Sequence, residues 1–184
     1  MGHDGHDHPH GHGHSGHSHA ADEHKAHAPA QVAVFLVTCS DSRGPDADQT
    51  GQALRAGLER AGHSIAGYRV IRDEPAALEA ALAEASQAGA RAVLVNGGTG
   101  IGRRDVTVET LRRLFEKELP GFGELFRALS FGEIGSPAMM SRATAGTVRG
   151  MIVFALPGSP QAVKLALERL ILPELGHAVR ELSR

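Results

Sequence analysis

The run Asn96-Gly-Gly-Thr-Gly-Ile-Gly-Arg-Arg-Asp-Val-Thr107 is where this chain is best equipped for chemistry. Glycines let a backbone approach a ligand closely and aim its N–H groups at an anion, with no Cβ in the way. Gly97, Gly98 and Gly100 supply that freedom and Thr99 adds a hydroxyl, so between a strand and a helix N-terminus the segment reads as a phosphate cradle. The same glycines suit a tight turn that holds nothing, and the local sequence leaves both readings open. Two familiar nucleotide loops are excluded. A P-loop would continue Gly-Lys-Ser/Thr where this chain has Gly102-Arg103-Arg104, and a dinucleotide fingerprint starting at Gly98 would need its third glycine at Arg103.

Asp105 and Asp73 both stand just before an expected helix, and spacing alone favours helix capping for each. The alternative is chemical: two carboxylates beside a phosphate cradle suit Mg²⁺, which takes one or two carboxylates together with phosphate oxygens and water. Cys39 has no sequence-local histidine to activate it and reads as a small buried residue. His63 and His177 fall at expected helix ends and read as structural, and the pair Met139-Met140 reads as core or interface.

The elements that must position these residues alternate between strand and helix. Residues 32–37 form a continuous apolar run, as a strand buried on both faces requires. Residues 64–71 and 91–96 are the next two strands, and pairs at 143–148 and 151–156 follow. Leu54, Leu58 and Ala61 mark one helix, and Leu78, Leu82 and Ala85 a second that starts at Pro75. Val108, Leu111, Leu114, Phe115 and Leu119 predict a long third helix stopped by Pro120-Gly121, with a shorter one over 123–129. Ser159-Pro160 is an N-cap and first-turn pair for a C-terminal helix that Pro173 divides. This alternation predicts an α/β fold: a single three-layer domain, a mostly parallel sheet with helices on both faces. In such sheets ligands bind beyond the carboxyl ends of the strands, so the loops at 38–51, 97–105 and 157–160 should share one rim.

Hydrophobic residues are 41% and charged residues 22% of the 184, an ordinary globular balance, and no apolar run is long enough to span a bilayer. Ten of the 12 histidines lie between His3 and His27. Residues 1–30 therefore read as a disordered His-rich tail and residues 31–184 as the domain. Imidazoles spaced along such a tail suit nickel, zinc or copper, or else they are simply solvated. The formal net charge of −2 shows no polycation, so nucleic acid is not expected as a partner, and neither is a membrane. One cysteine and no secretory signal pattern fit the cytoplasm.

The domain resembles the MoaB/MogA family of molybdenum cofactor biosynthesis proteins. The matching segments are Ser40-Asp41 with Asp48-x-Thr50-Gly51, Gly97-Gly-Thr-Gly100 leading to Arg104-Asp105-Val-Thr107, and Pro120-Gly-Phe-Gly-Glu124 with Leu129-Ser130-Phe131. Ser141-Arg142-Ala143 and Leu156-Pro-Gly-Ser-Pro160 complete them. The stretch over 120–135 leans toward the MoaB branch, and Asn96 stands where the MogA type carries threonine.

The resemblance implies an adenylyltransferase that uses ATP and Mg²⁺ to attach AMP to the terminal phosphate of molybdopterin, releasing pyrophosphate. By position it implies Asp73 and Asp105 as the essential, Mg²⁺-binding carboxylates, and Gly97, Gly98, Thr99 and Gly100 as the phosphate cradle. Ser130 falls on the pterin side, and Ser40, Asp41, Pro157, Gly158 and Ser159 lie in the other ligand-contacting loops. It also implies a homo-oligomer, hexamer or trimer, and a transient partner protein that inserts molybdate. A non-catalytic molybdopterin carrier with a metal-handling tail is the alternative reading.

Overall fold

Side chains alternate across a strand, and β1 (Ala33–Cys39) shows the consequence directly: Val34 and Leu36 enter one apolar cluster, Phe35, Val37 and Cys39 another. The computed structural model describes residues 28–41 and 44–184. Of the His-rich tail expected over residues 1–30, residues 1–27 therefore lie outside the described residues.

From β1 the chain passes through a short 3₁₀ turn (Pro45–Ala47) into helix α1 (Gln49–Arg60), then β2 (Ser64–Ile71), α2 (Pro75–Gln87) and β3 (Ala92–Asn96). Next come α3 (Thr107–Leu114), β4 (Lys117–Glu118) and α4 (Pro120–Ile134), and a 3₁₀ turn (Ser136–Met140) leads to β5 (Thr144–Val148) and β6 (Met151–Leu156). Helix α5 (Pro160–Ala166), a π-turn (Leu167–Ile171) and α6 (Leu172–Leu182) end the fold. The six strands form one sheet in the order β2-β1-β3-β6-β5-β4. The first four of that order are mutually parallel, and β5 runs against both β6 and β4. Helices α1, α4, α5 and α6 cover one face through residues such as Leu58, Phe126, Val163 and Leu175. Helices α2 and α3 cover the other through Leu78, Leu82 and Leu111. This is the expected three-layer α/β domain.

Register decides where the loops go. Thr38 is level with Asn96, Cys39 with Ile71, and Asn96 with Leu156, so all four parallel strands end within about one residue of each other. Their outgoing loops share one rim.

Three expectations are corrected. The third helix stops at Leu114 rather than Leu119, because Phe115 turns extended (φ −62°, ψ 125°). The chain then pairs with β5 through Glu116 N–H to Thr147 C=O at 2.9 Å and Leu119 N–H to Ala145 C=O at 2.7 Å. Phe115 fits there because Gly146 has no side chain; a Cβ on it would lie 2.5 Å from the Phe115 ring. Pro120 accordingly opens α4 instead of ending α3, and α4 is longer than the expected 123–129. Pro173 divides the C-terminal helix as expected, standing in the first turn of α6; the π-turn just before it widens the spiral, while Ile171 and Leu172 keep helical angles. Ala61 falls past the end of α1 and is exposed.

Candidate functional site

Gly97 sits at φ +100° and Gly98 at φ +64°, so the chain leaves β3 by a sharp turn that side chains resist. A Cβ at Gly97 would lie 2.4 Å from the carbonyl oxygen of Cys39; the loop crosses directly against the end of β1. Its shape is held by Gly97 N–H to Leu156 C=O (3.0 Å) and Thr107 N–H to Gly98 C=O (3.1 Å). None of the N–H groups of Gly98, Thr99 and Gly100 donates to another described residue. Unpaired amides in a strand-to-helix turn are the equipment of an anion site.

Asp105 closes this loop: its Oδ2 accepts from Gly102 N–H at 2.8 Å. Gly100 and Gly102 leave room for that carboxylate, since a Cβ on either would come within 2.9 Å of Oδ2. Neither Asp105 nor Asp73 caps a helix. The capping positions of α3 and α2 are Val106 and Glu74, and neither makes a side-chain cap bond. The capping reading therefore fails for both, and both carboxylates line the cleft.

Asp73 is half-buried, and its Oδ1 is enclosed without a hydrogen-bond partner. Burial, then the negative charges of Asp41 and Asp105, push its pKa up, with Arg104 acting against them. Asp41 is exposed and tied to Arg104, whose Nε donates to Asp41 Oδ2 at 2.6 Å across the mouth of the site. That bond holds the Asp41 carboxyl below its usual range. An orphaned buried carboxylate oxygen among three acids fits a hard cation. Among the described residues no group of three or more His, Cys, Asp or Glu is arranged to hold a metal ion. A cation here would complete its shell with phosphate oxygens and water, as Mg²⁺ does.

The remaining expected residues meet the glycine loop on the same cleft of about 610 Å³. Ser40 and Asp41 come from the end of β1, and Pro157, Gly158 and Ser159 from the end of β6. Gly158 lies against Gly97, with 3.6 Å from its would-be Cβ to the Gly97 Cα. Ser159 caps α5 by accepting from Ala162 N–H. Ser130, buried on α4, faces the cleft from the opposite wall beside Phe126, Ile134, Ala138 and Met140. The result is one polar wall of loops and one largely apolar wall of helix, a division suited to a ligand with a charged end and a flat organic end.

Several contributors escape local reading. Asp48 is fully buried and accepts from Gly51 N–H (3.0 Å), Thr50 Oγ1 (3.0 Å) and the Tyr68 hydroxyl. Burial alone would raise its pKa, but hydrogen bonds from Thr38, Tyr68, Gly51 and Thr50 outweigh it and hold it low. An ionised carboxylate only accepts, so Thr50 donates to Asp48 and in turn accepts from Asn96 Nδ2 at 2.9 Å. The residue before the glycines is thereby moored to α1 and β2. Arg142, paired with Glu109, donates to the Thr99 and Asp105 carbonyls at 3.3 and 3.2 Å. Met140 lines the cleft and Met139 is 79% exposed, so neither is core. Cys39 is buried as expected, and burial pushes its thiol up to about 12. His63 accepts from Val32 N–H at 3.2 Å and His177 pairs with Glu174 at 3.0 Å, both structural arrangements.

Comparison with known proteins agrees with this architecture. Residues 35–177 match the family described as "Probable molybdopterin binding domain". Molybdenum cofactor biosynthesis protein B of Bacillus subtilis is 52% identical over 164 residues, spanning 88% of this chain and 96% of its own. The protein of the same name from Staphylococcus aureus (strain COL) is 43% identical over 156 residues, spanning 83% and 93%. A crystal structure of a Molybdenum cofactor biosynthesis protein B matches with TM-score 0.82 at 46% identity, covering 85% of this chain and 99% of the other. The tungsten cofactor synthesizing protein MoaB from Pyrococcus furiosus matches with TM-score 0.78 at 38% identity, covering 85% and 100%.

Proposed function

We propose, from the premise that this chain belongs to the molybdopterin-binding family of molybdenum cofactor biosynthesis proteins, that it is a molybdopterin adenylyltransferase. The observation that carries this reading is the meeting, on one rim, of unpaired loop amides with a buried, unpartnered carboxylate oxygen. In the proposed reaction an oxygen of the molybdopterin phosphate attacks the α-phosphorus of ATP. The new P–O–P bond forms, the α–β bond breaks, and pyrophosphate leaves with the electron pair. The phosphate is itself the nucleophile, so no side chain needs to be one, and catalysis is positioning and electrostatics. Gly97, Gly98, Thr99 and Gly100 hold phosphate oxygens; Ser130 and the apolar wall take the pterin; Ser40, Asp41, Pro157, Gly158 and Ser159 border both. Asp73 and Asp105 would hold Mg²⁺, which when bound supplies charge that offsets the crowded phosphates.

The test is turnover of purified protein with molybdopterin, ATP and Mg²⁺, following pyrophosphate and adenylylated pterin together. Product from the parent and at least roughly tenfold less from Asp105→Asn is expected. Pterin binding with no product from either would leave the non-catalytic carrier in its place.

A homo-oligomer is part of the proposal. Leu125, Phe131 and Met139 are all more than half exposed on α4 and the turn after it, outside the cleft lining, and a second copy would cover them. Phe131→Glu combined with Met139→Glu should shift the mass measured by light scattering toward one chain; an unchanged assembly would place the interface elsewhere. Among the described residues no helix is long and apolar enough to cross a membrane. The reading places the protein in the cytoplasm, passing its product to a molybdate-inserting partner, with the histidine-rich segment as a metal-handling accessory.

A further inference from the structure

Arg142 lies just before β5, outside the loops that carry the proposed reaction, yet it reaches the back of the glycine loop. Its Nε donates to the Thr99 carbonyl at 3.3 Å and its Nη2 to the Asp105 carbonyl at 3.2 Å. The same guanidinium pairs with both carboxylate oxygens of Glu109 on α3, through Nη1 and, at 3.3 Å, Nη2. Its side chain is only 29% exposed. These bonds take four of the five N–H donors of the guanidinium, so Arg142 as it stands is engaged chiefly with protein and not with an anion. What it grips are the carbonyls on either side of the segment 100–105.

That grip sets a direction. In a trans peptide the carbonyl and the following N–H point opposite ways, and the structure has no cis bond among the described residues. Holding the Thr99 carbonyl at the back of the loop therefore turns the Gly100 N–H away from Arg142, and this amide donates to no other described residue. Glu109 fixes the guanidinium so that the planar fork meets both carbonyls at once, a geometry an ammonium cannot copy.

We propose that Arg142 is the positioning residue of the anion loop, aiming the Gly100 amide at bound phosphate by holding the Thr99 and Asp105 carbonyls from behind, with Glu109 locking its orientation. This rests on the reading that the loop binds phosphate. It separates two roles an arginine can take near a phosphate site: a charge felt at a distance, or a brace acting through the backbone.

Arg142→Lys keeps the charge and loses the fork; Arg142→Gln loses both. Calorimetry with Mg²⁺-ATP and with inorganic pyrophosphate should show both variants weakened by at least about tenfold, and alike. Hydrogen exchange and the ¹⁵N–¹H signal of Gly100 should change in Arg142→Lys while signals of β2, at the far edge of the sheet from β5, stay put. Glu109→Gln should give a smaller loss in the same direction. Parental affinity in Arg142→Lys would overturn the proposal, because charge alone would then suffice; if Arg142→Gln does not fold, the lysine variant decides by itself. If the parent binds neither ligand, the phosphate reading fails. The Gly100 signal still tests the brace, and an unchanged signal in Arg142→Lys overturns it.

Discussion

Asp73→Asn is expected to melt at a higher temperature than the parent while transferring adenylyl groups at least roughly a hundredfold more slowly. The two effects share one cause. The carboxylate is half-buried beside Asp41 and Asp105, and its Oδ1 has no donor, so without a bound cation the protein holds this charge at a cost. Its pKa stands above the ordinary 3.8, which means the folded state favours the neutral acid. Such a group stabilises most below the unfolded value, and its contribution is lost as pH rises through the folded value. Asparagine removes that loss. The gain in melting temperature should therefore be full at neutral pH and close as pH falls toward the ordinary carboxylate range. Saturating Mg²⁺-ATP should reverse the order, stabilising the parent more than the variant. Equal melting temperatures at pH 7 without ligand would show that Asp73 carries no such burden.

Gly97→Ala should lose ATP binding and about 2–4 kcal/mol of stability, measured by denaturant unfolding. At φ +100° the position lies beyond the left-handed well that an L-residue can occupy at moderate cost. The added methyl would meet the Cys39 carbonyl oxygen at 2.4 Å. That oxygen belongs to backbone that cannot yield freely, because Cys39 is in register with Ile71 and Ser40 N–H bonds the Ile71 carbonyl at 2.8 Å. Gly62→Ala is the control: its φ is +86°, yet nothing lies within 4 Å of its Cβ and it sits outside the cleft. It should cost stability through backbone strain and leave ATP affinity alone. An undiminished affinity in Gly97→Ala would remove this turn from the anion site.

The parts of this site that sequence could reveal are those dictated by local rules. Residues 32–37 and 92–95 are apolar on both faces, which only an interior strand satisfies, and parallel strands gather their outgoing loops on one rim. The third helix misleads because Leu114, Phe115 and Leu119 are spaced as a helix would space them. Pairing of residues 116–119 with β5 overrides that spacing, and the partner strand lies some thirty residues downstream. Asp73 and Asp105 resemble caps because capping is a matter of neighbours, whereas what they face is supplied by other strands. Asp48 and Thr50 are joined locally, as the cap of α1, but Tyr68 and Asn96 have nothing local to unite them with that cap; only the order β2-β1-β3 brings them to it.

The place of β6 in the sheet has a consequence for how the protein is made. Strand β3 pairs with β1 on one edge and waits on the other for β6, whose Ile152 joins Ala92. During synthesis the first three strands can assemble while the β3 edge, entirely apolar but for Asn96, stays open until residues 151–156 leave the ribosome. An open, apolar strand edge invites pairing with other chains. Newborn chains should therefore be most vulnerable to aggregation, and most attractive to chaperones, between emergence of β3 and arrival of β6. Chains stalled in that interval will lack one side of the cleft as well as the strand that seals the sheet.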